Sequence, residues 1–118
     1  MRRGVTPLAV LVSSDDPARL RTALGLAAAQ AALGGRASLF FDALAVPVLG
    51  RCEQVRSDDL PSLAALLDTC LDMNVAVTVC QTGLAAAGLR AEDLDPRLTF
   101  GGMIGLLSVL PDARLVIA

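Results

Sequence analysis

This 118-residue sequence predicts an α/β fold: a three-layer α/β/α sandwich around a mostly parallel sheet of four to five strands. Three observations predict it. Short apolar runs alternate with helical segments along the chain, and strands joined by helices pair in parallel with helices on both faces. Hydrophobic residues make up 54% of the chain and the mean hydropathy is +0.62. That is high for a small domain, and it fits strands buried on both faces or a surface partly buried in an oligomer. The longest weakly polar stretches, around residues 23–33 and 101–110, fall short of the ~18–20 residues that cross a bilayer. No repeat, linker or low-complexity stretch divides the chain, so residues 1–118 read as one domain.

The elements follow in order. The opening, MRRGVTPLAVLVSSDDP, has a basic pair and an apolar run. That run is only Leu8–Val12 before Asp15 and Asp16, shorter than the ~7–15 apolar residues of a secretion signal. It reads as a first strand, Leu8–Ser13, and a cytoplasmic location is expected. Asp16 can cap a helix and Pro17 fits its first turn. The helix then runs through ARLRTALGLAAAQAAL to a stop at Gly34-Gly35, with Leu20, Leu24, Ala27 or Ala28, and Ala31 as its apolar stripe. Arg36–Phe41 (RASLFF) reads as the second strand. Residues 43–49 form a short helix or extended segment, followed by a loop carrying Cys52. Asp58-Asp59-Leu60-Pro61 marks the next helix start, and Leu63, Leu66, Leu67, Cys70 and Leu71 share one face of that helix up to Asn74. Val75–Cys80 is a third strand and Thr82–Ala87 a short helix ended by Gly88. An acidic turn, Ala91–Asp95, precedes Pro96. Gly101-Gly102 begins a helix that Pro111 stops, and Ala113–Ile117 is the last strand.

What the chain lacks excludes several functions. It has no His and no Lys. A Ser–His–Asp triad, a Walker A lysine, a lysine Schiff base and a histidine-ligated zinc site are therefore excluded. Cys52, Cys70 and Cys80 show no CxxC spacing, so no metal or thioredoxin-type motif is expected, and no residue pattern calls for a cofactor. Net charge is −2, the arginines are scattered as a solvated face would have them, and Trp and Tyr are absent. Nucleic-acid binding wants a basic stripe or stacking aromatics, and is set aside.

The chemistry left is thiol, carboxylate, hydroxyl and guanidinium. In VAVTVCQTGLAAAGL, residues 75–89, the chain changes at Cys80 from β-branched to small and helix-forming. Ligands of open parallel sheets bind beyond the carboxyl ends of the strands. Those ends here are Ser13-Ser14, Phe41-Asp42 and Cys80-Gln81. A thiol at a strand-to-helix turn meets the unpaired amides of the helix start, here those of Gln81, Thr82, Gly83 and Leu84, which favour the thiolate. The competing reading makes Cys80 a small buried hydrophobe. Cys70, on the apolar stripe of its helix, reads as core. Cys52 is either a reactive loop thiol or incidental. Ser13, Ser14, Phe41, Asp42, Gln81, Thr82 and Gly83 are the candidate substrate-binding residues beside Cys80; the first two double as a helix start, and Phe41 and Asp42 as packing and turn.

Four stretches carry a resemblance: LAVLVSSDDPARLRTALGLAAAQ, RASLFFDALAVPVL, VAVTVCQTGLAAAGL and GGMIGLLSVLPDARLVIA. Together they resemble the DsrE/DsrF-like family of small sulfur-relay proteins, TusD-type subunits included. The resemblance implies a compact α/β domain assembled as a trimer or hexamer. It also implies a cysteine after a central strand that takes up sulfur as a persulfide and hands it on; Cys80 holds the matching position. Sulfur donor and acceptor proteins would be the partners. The alternative is an oligomeric binding module of the same fold with an inert Cys80.

Overall fold

The computed structural model describes residues 5–50, 61–109 and 112–118. Five strands form one sheet: β1 (Leu8–Val12), β2 (Ala37–Phe41), β3 (Ala76–Cys80), β4 (Thr99–Gly101) and β5 (Arg114–Ile117). All described pairings are parallel, and the strand order is β4-β3-β2-β1-β5. Among the described residues four helices accompany them: α1 (Pro17–Ala32), α2 (Leu63–Asp72), α3 (Gln81–Ala86) and α4 (Met103–Val109). Short 3-10 turns occupy Val46–Gly50 and Ala91–Asp93.

The pairing register fixes which side chains share a face. Leu8, Val10 and Val12 stand beside Ala37, Leu39 and Phe41, and Leu39 and Phe41 beside Val77 and Val79. These side chains meet Leu20, Ala23, Leu24 and Ala27 of α1 and Leu63, Cys70 and Leu71 of α2 in the main core. The opposite face carries Ala9 and Phe40, over which α4 lays Leu106. Helices therefore lie on both faces, but the layers are unequal. Strand β2 is buried at all five residues, which accounts for the unbroken Leu39-Phe40-Phe41 run without polar alternation.

Helix stops fall where the sequence places them. Gly34 (φ 84°), Asn74 (φ 64°) and Gly88 (φ 70°) adopt left-handed conformations just past α1, α2 and α3. Gly and Asn tolerate that region better than other residues. The helix starts differ in detail. Asp16 sits at the cap position of α1, but its side chain makes no capping bond; Ser14 Oγ instead accepts the Asp16 amide at 3.0 Å. Helix α2 begins two residues beyond Pro61, where Ser62 Oγ accepts the Ala65 amide at 3.0 Å. Asp58, Asp59, Leu60 and the loop thiol Cys52 lie outside the described residues. Strand β4 was not anticipated: Gly101, read from sequence as the start of a helix, closes this strand, and α4 starts at Met103.

Candidate functional site

The carboxyl ends of β3 and β2 make the site. Val77 and Val79 point into the main core and lock β3 in register with β2. With period-two alternation, Thr78 and Cys80 then face the side that carries Phe40. Cys80 is half-buried and packs against both apolar clusters. It is also the cap residue of α3, with extended backbone (φ −61°, ψ 119°). Its Sγ accepts a hydrogen bond from the Gly83 amide at 3.4 Å. Of the four amides expected there, Gly83 supplies the bond given to the sulfur. An N–H aimed at sulfur stabilises negative charge on it.

Gly83 is buried, and the group that approaches it belongs to the chain itself. A Cβ placed on Gly83 would come 2.7 Å from Ala43 Cα, 3.1 Å from Val46 Cγ2 and 3.2 Å from Ala43 Cβ. Residues 42–46 form the turn that leaves β2. The Asp42 amide donates to the Val12 carbonyl at 2.9 Å, and the Asp42 carbonyl accepts from the Ala45 and Val46 amides at 2.8 and 3.2 Å. Gln81 and Thr82 are exposed at the start of α3.

The remaining candidates divide. Ser13 and Asp42 sit side by side at the same sheet edge, about 10 Å or less from the β3 end by strand spacing. The Ser13 hydroxyl donates to the Ala118 carbonyl at 2.9 Å, and Ser14 Oγ is engaged by Asp16. The Phe41 side chain is 1% exposed and belongs to the main core. Only its backbone lies at the edge. Cys70 is 0% exposed, donates to the Leu24 carbonyl at 3.3 Å, and has its thiol pushed up to about 11 by burial. Clefts of about 290 and 280 Å³ open at the amino ends of the strands, beside Leu33 and Arg114 and beside Arg36 and Asn74; Cys80 lines neither.

Three neighbours of the site have no role there in the sequence analysis, two of them on β4. Gly101 of β4 is the register partner of Cys80, and Thr99 Oγ1 lies 2.8 Å from Thr78 Oγ1. Both depend on β4, whose only signal is the β-forming pair Thr99-Phe100. Ala43, the residue packed on Gly83, carries no sequence signal.

The model of the DsrE/DsrF-like family matches residues 7–118. No curated protein matches the chain. A crystal structure of the YchN protein from E. coli is similar, with a TM-score of 0.64 and 20% sequence identity over 95% of this chain and 99% of that one.

Proposed function

This chain belongs to the DsrE/DsrF-like family, and from that premise we propose that it is a sulfur carrier, a sulfurtransferase-like protein acting through Cys80. The Cys80 thiolate attacks the outer, sulfane sulfur of a donor persulfide. The donor S–S bond breaks, the donor leaves as a thiolate, and Cys80 Sγ holds the transferred sulfur as a persulfide. An acceptor thiolate then attacks that outer sulfur, takes it as its own persulfide and frees Cys80. Each step exchanges one S–S bond for another, so no external oxidant or reductant is consumed.

The observation that carries this reading is a half-buried sulfur at a strand's carboxyl end, accepting an amide hydrogen bond at 3.4 Å. Family membership supports it, and the sealed environment of Cys70 supports Cys80 over Cys70 as the carrier. Ser13, Ser14, Asp42, Gln81 and Thr82 flank the place a partner's thiol would occupy, with Phe41 contributing backbone. The donor and acceptor are proteins bearing reactive thiols.

Incubation with a sulfane-sulfur donor, followed by mass spectrometry of native protein, tests this. The Cys80 peptide should gain the mass of one sulfur atom, and Cys80→Ser should abolish the gain without loss of fold. Retention of loading in that variant would sink the assignment.

A second reading rests on a different observation. Met103, Ile104 and Leu107 of α4 and Leu115 and Ile117 of β5 are exposed apolar side chains. They favour an assembly, a trimer or hexamer by family resemblance; the second reading is an oligomeric module of this fold in which Cys80 is inert. Cys80 that resists both alkylation and loading, in a stable assembly, would establish it. Among the described residues no helix is long and apolar enough to cross a membrane.

A further inference from the structure

We propose that Gly83 is a positioning residue for Cys80: packed on the Ala43 turn without a side chain, it seats α3 so that its amide reaches the Cys80 sulfur. The proposal rests on the reading of Cys80 as a sulfur carrier, and adds the residue and the neighbouring turn that set the thiol's reactivity.

Three observations carry it. First, the contact that a Cβ at residue 83 would make at 2.7 Å is with Ala43 Cα, a backbone atom that no rotamer change can move aside. Second, the turn is the firmer partner. It is tied to β1 through the Asp42 amide and the Val12 carbonyl, closed on itself by the Ala45 and Val46 amides, and anchored by Val46 at 0% exposure. Third, α3 is only six residues long, and the side chain it buries in the core is that of Leu84. When the two are forced apart, α3 yields. Its Gly83 amide is 3.4 Å from Cys80 Sγ, and hydrogen bonds weaken steeply with small losses of distance and angle. Any side chain at 83 therefore reaches the sulfur through the backbone, without touching a substrate.

Two substitutions open the same gap from opposite sides. Gly83→Ala adds the methyl on α3. Ala43→Val adds bulk on the turn at an exposed residue, where the risk to folding is small. Alkylation rates of each cysteine are read against pH by peptide mass spectrometry on the native protein. Sulfur loading of the unsubstituted protein is measured alongside. In both variants the Cys80 profile should move to higher pH, with a rate at neutral pH about threefold to tenfold lower. Cys70 should remain unreactive, which shows that the core has held.

A Gly83→Ala profile superimposed on that of the unsubstituted protein, with Cys70 still protected, overturns the proposal. If Gly83→Ala exposes Cys70, Ala43→Val decides by the same two outcomes. A shifted profile in a protein that never loads sulfur upholds the positioning role and rejects the carrier reading. Loading with an unshifted profile does the reverse.

Discussion

Cys70 lies sealed between α1 and α2, and burial pushes its thiol from an ordinary 9.0 up to about 11. The folded chain therefore keeps this proton after the unfolded chain has lost it. Stability from the neutral thiol is complete below about pH 9, is lost as pH rises toward about 11, and then levels off. A displacement of that size corresponds to on the order of 2–3 kcal/mol. The chain has no Lys and no Tyr, the groups that crowd this range in most proteins, so cysteine dominates it here. Urea unfolding measured from pH 7 to 11 should show a constant midpoint to about pH 9 and a falling one above it. Cys70→Ala should start lower, because a buried atom is lost, and should flatten the slope. An undiminished slope in that variant would place the alkaline sensitivity elsewhere. The same burial makes Cys70 the slow thiol in alkylation, the standard against which Cys80 is read.

Helix ends show how far an element can be read from its own residues. Ser62 caps α2 through its hydroxyl, so Ser62→Ala should cost about 1 kcal/mol. Thermal unfolding should register it as a loss of several degrees in a domain of this size; an unchanged midpoint would mean that packing of Leu63 alone holds the start. Sequence placed the stops of α1 and α3 because glycine in left-handed backbone is a local signal. It placed β1 and β2 because strands buried on both faces lose the polar alternation, and β3 because Val75, Val77, Thr78 and Val79 form a β-branched run. Capping was harder. Asp16 and Ser62 are both good cap residues, and only tertiary position decides which side chain turns toward its helix. Strand β4 was illegible, since three residues between Pro96 and Gly102 hold no periodicity and its pairing with β3 is long-range. Arg97 is exposed, as a solvated face requires, and there it bridges Asp68 and Asp72 of α2 and Asp95. The Arg97 guanidinium and the Arg97 amide, both donating to Asp95, hold its carboxyl down to about 2, while the partners on a distant helix leave no local trace. At the site, Cys80 and its strand end were legible for the same reason as β3, whereas the Gly83–Ala43 contact joins helix α3 to the turn after β2, two segments that sequence cannot bring together.

At the scale of the whole molecule the two faces of the sheet are unequal. The face toward α1 and α2 is a closed core, while among the described residues the other is covered by seven-residue α4. The register places Leu115 beside Ala9 and Ile117 beside Leu11, on that thinly covered side. Leu115 and Ile117 are 50% and 66% exposed, and Ile104 and Leu107 of α4 are 87% and 64% exposed. Helix α4, MIGLLSV, has no charged residue. Scattered exposed apolar residues are ordinary, but a cluster on one face marks a surface that buries against something. The assembly we propose covers it with further copies of the chain. Cys80 packs against the Phe40–Leu106 cluster at the border of the same face, so assembly would govern access to the sulfur. Light scattering should give a mass that is a multiple of 12.1 kDa. Ile104→Glu combined with Leu107→Glu should reduce it to one chain, since two carboxylates cannot be buried in an apolar interface without heavy cost. Both side chains are already exposed in the single chain, so its fold should survive. Cys80 alkylation by a bulky reagent should then quicken in the dissociated variant more than alkylation by a small one. A protein that is a single chain before substitution, or an assembly that survives both glutamates, would remove this face from the account of how Cys80 is reached.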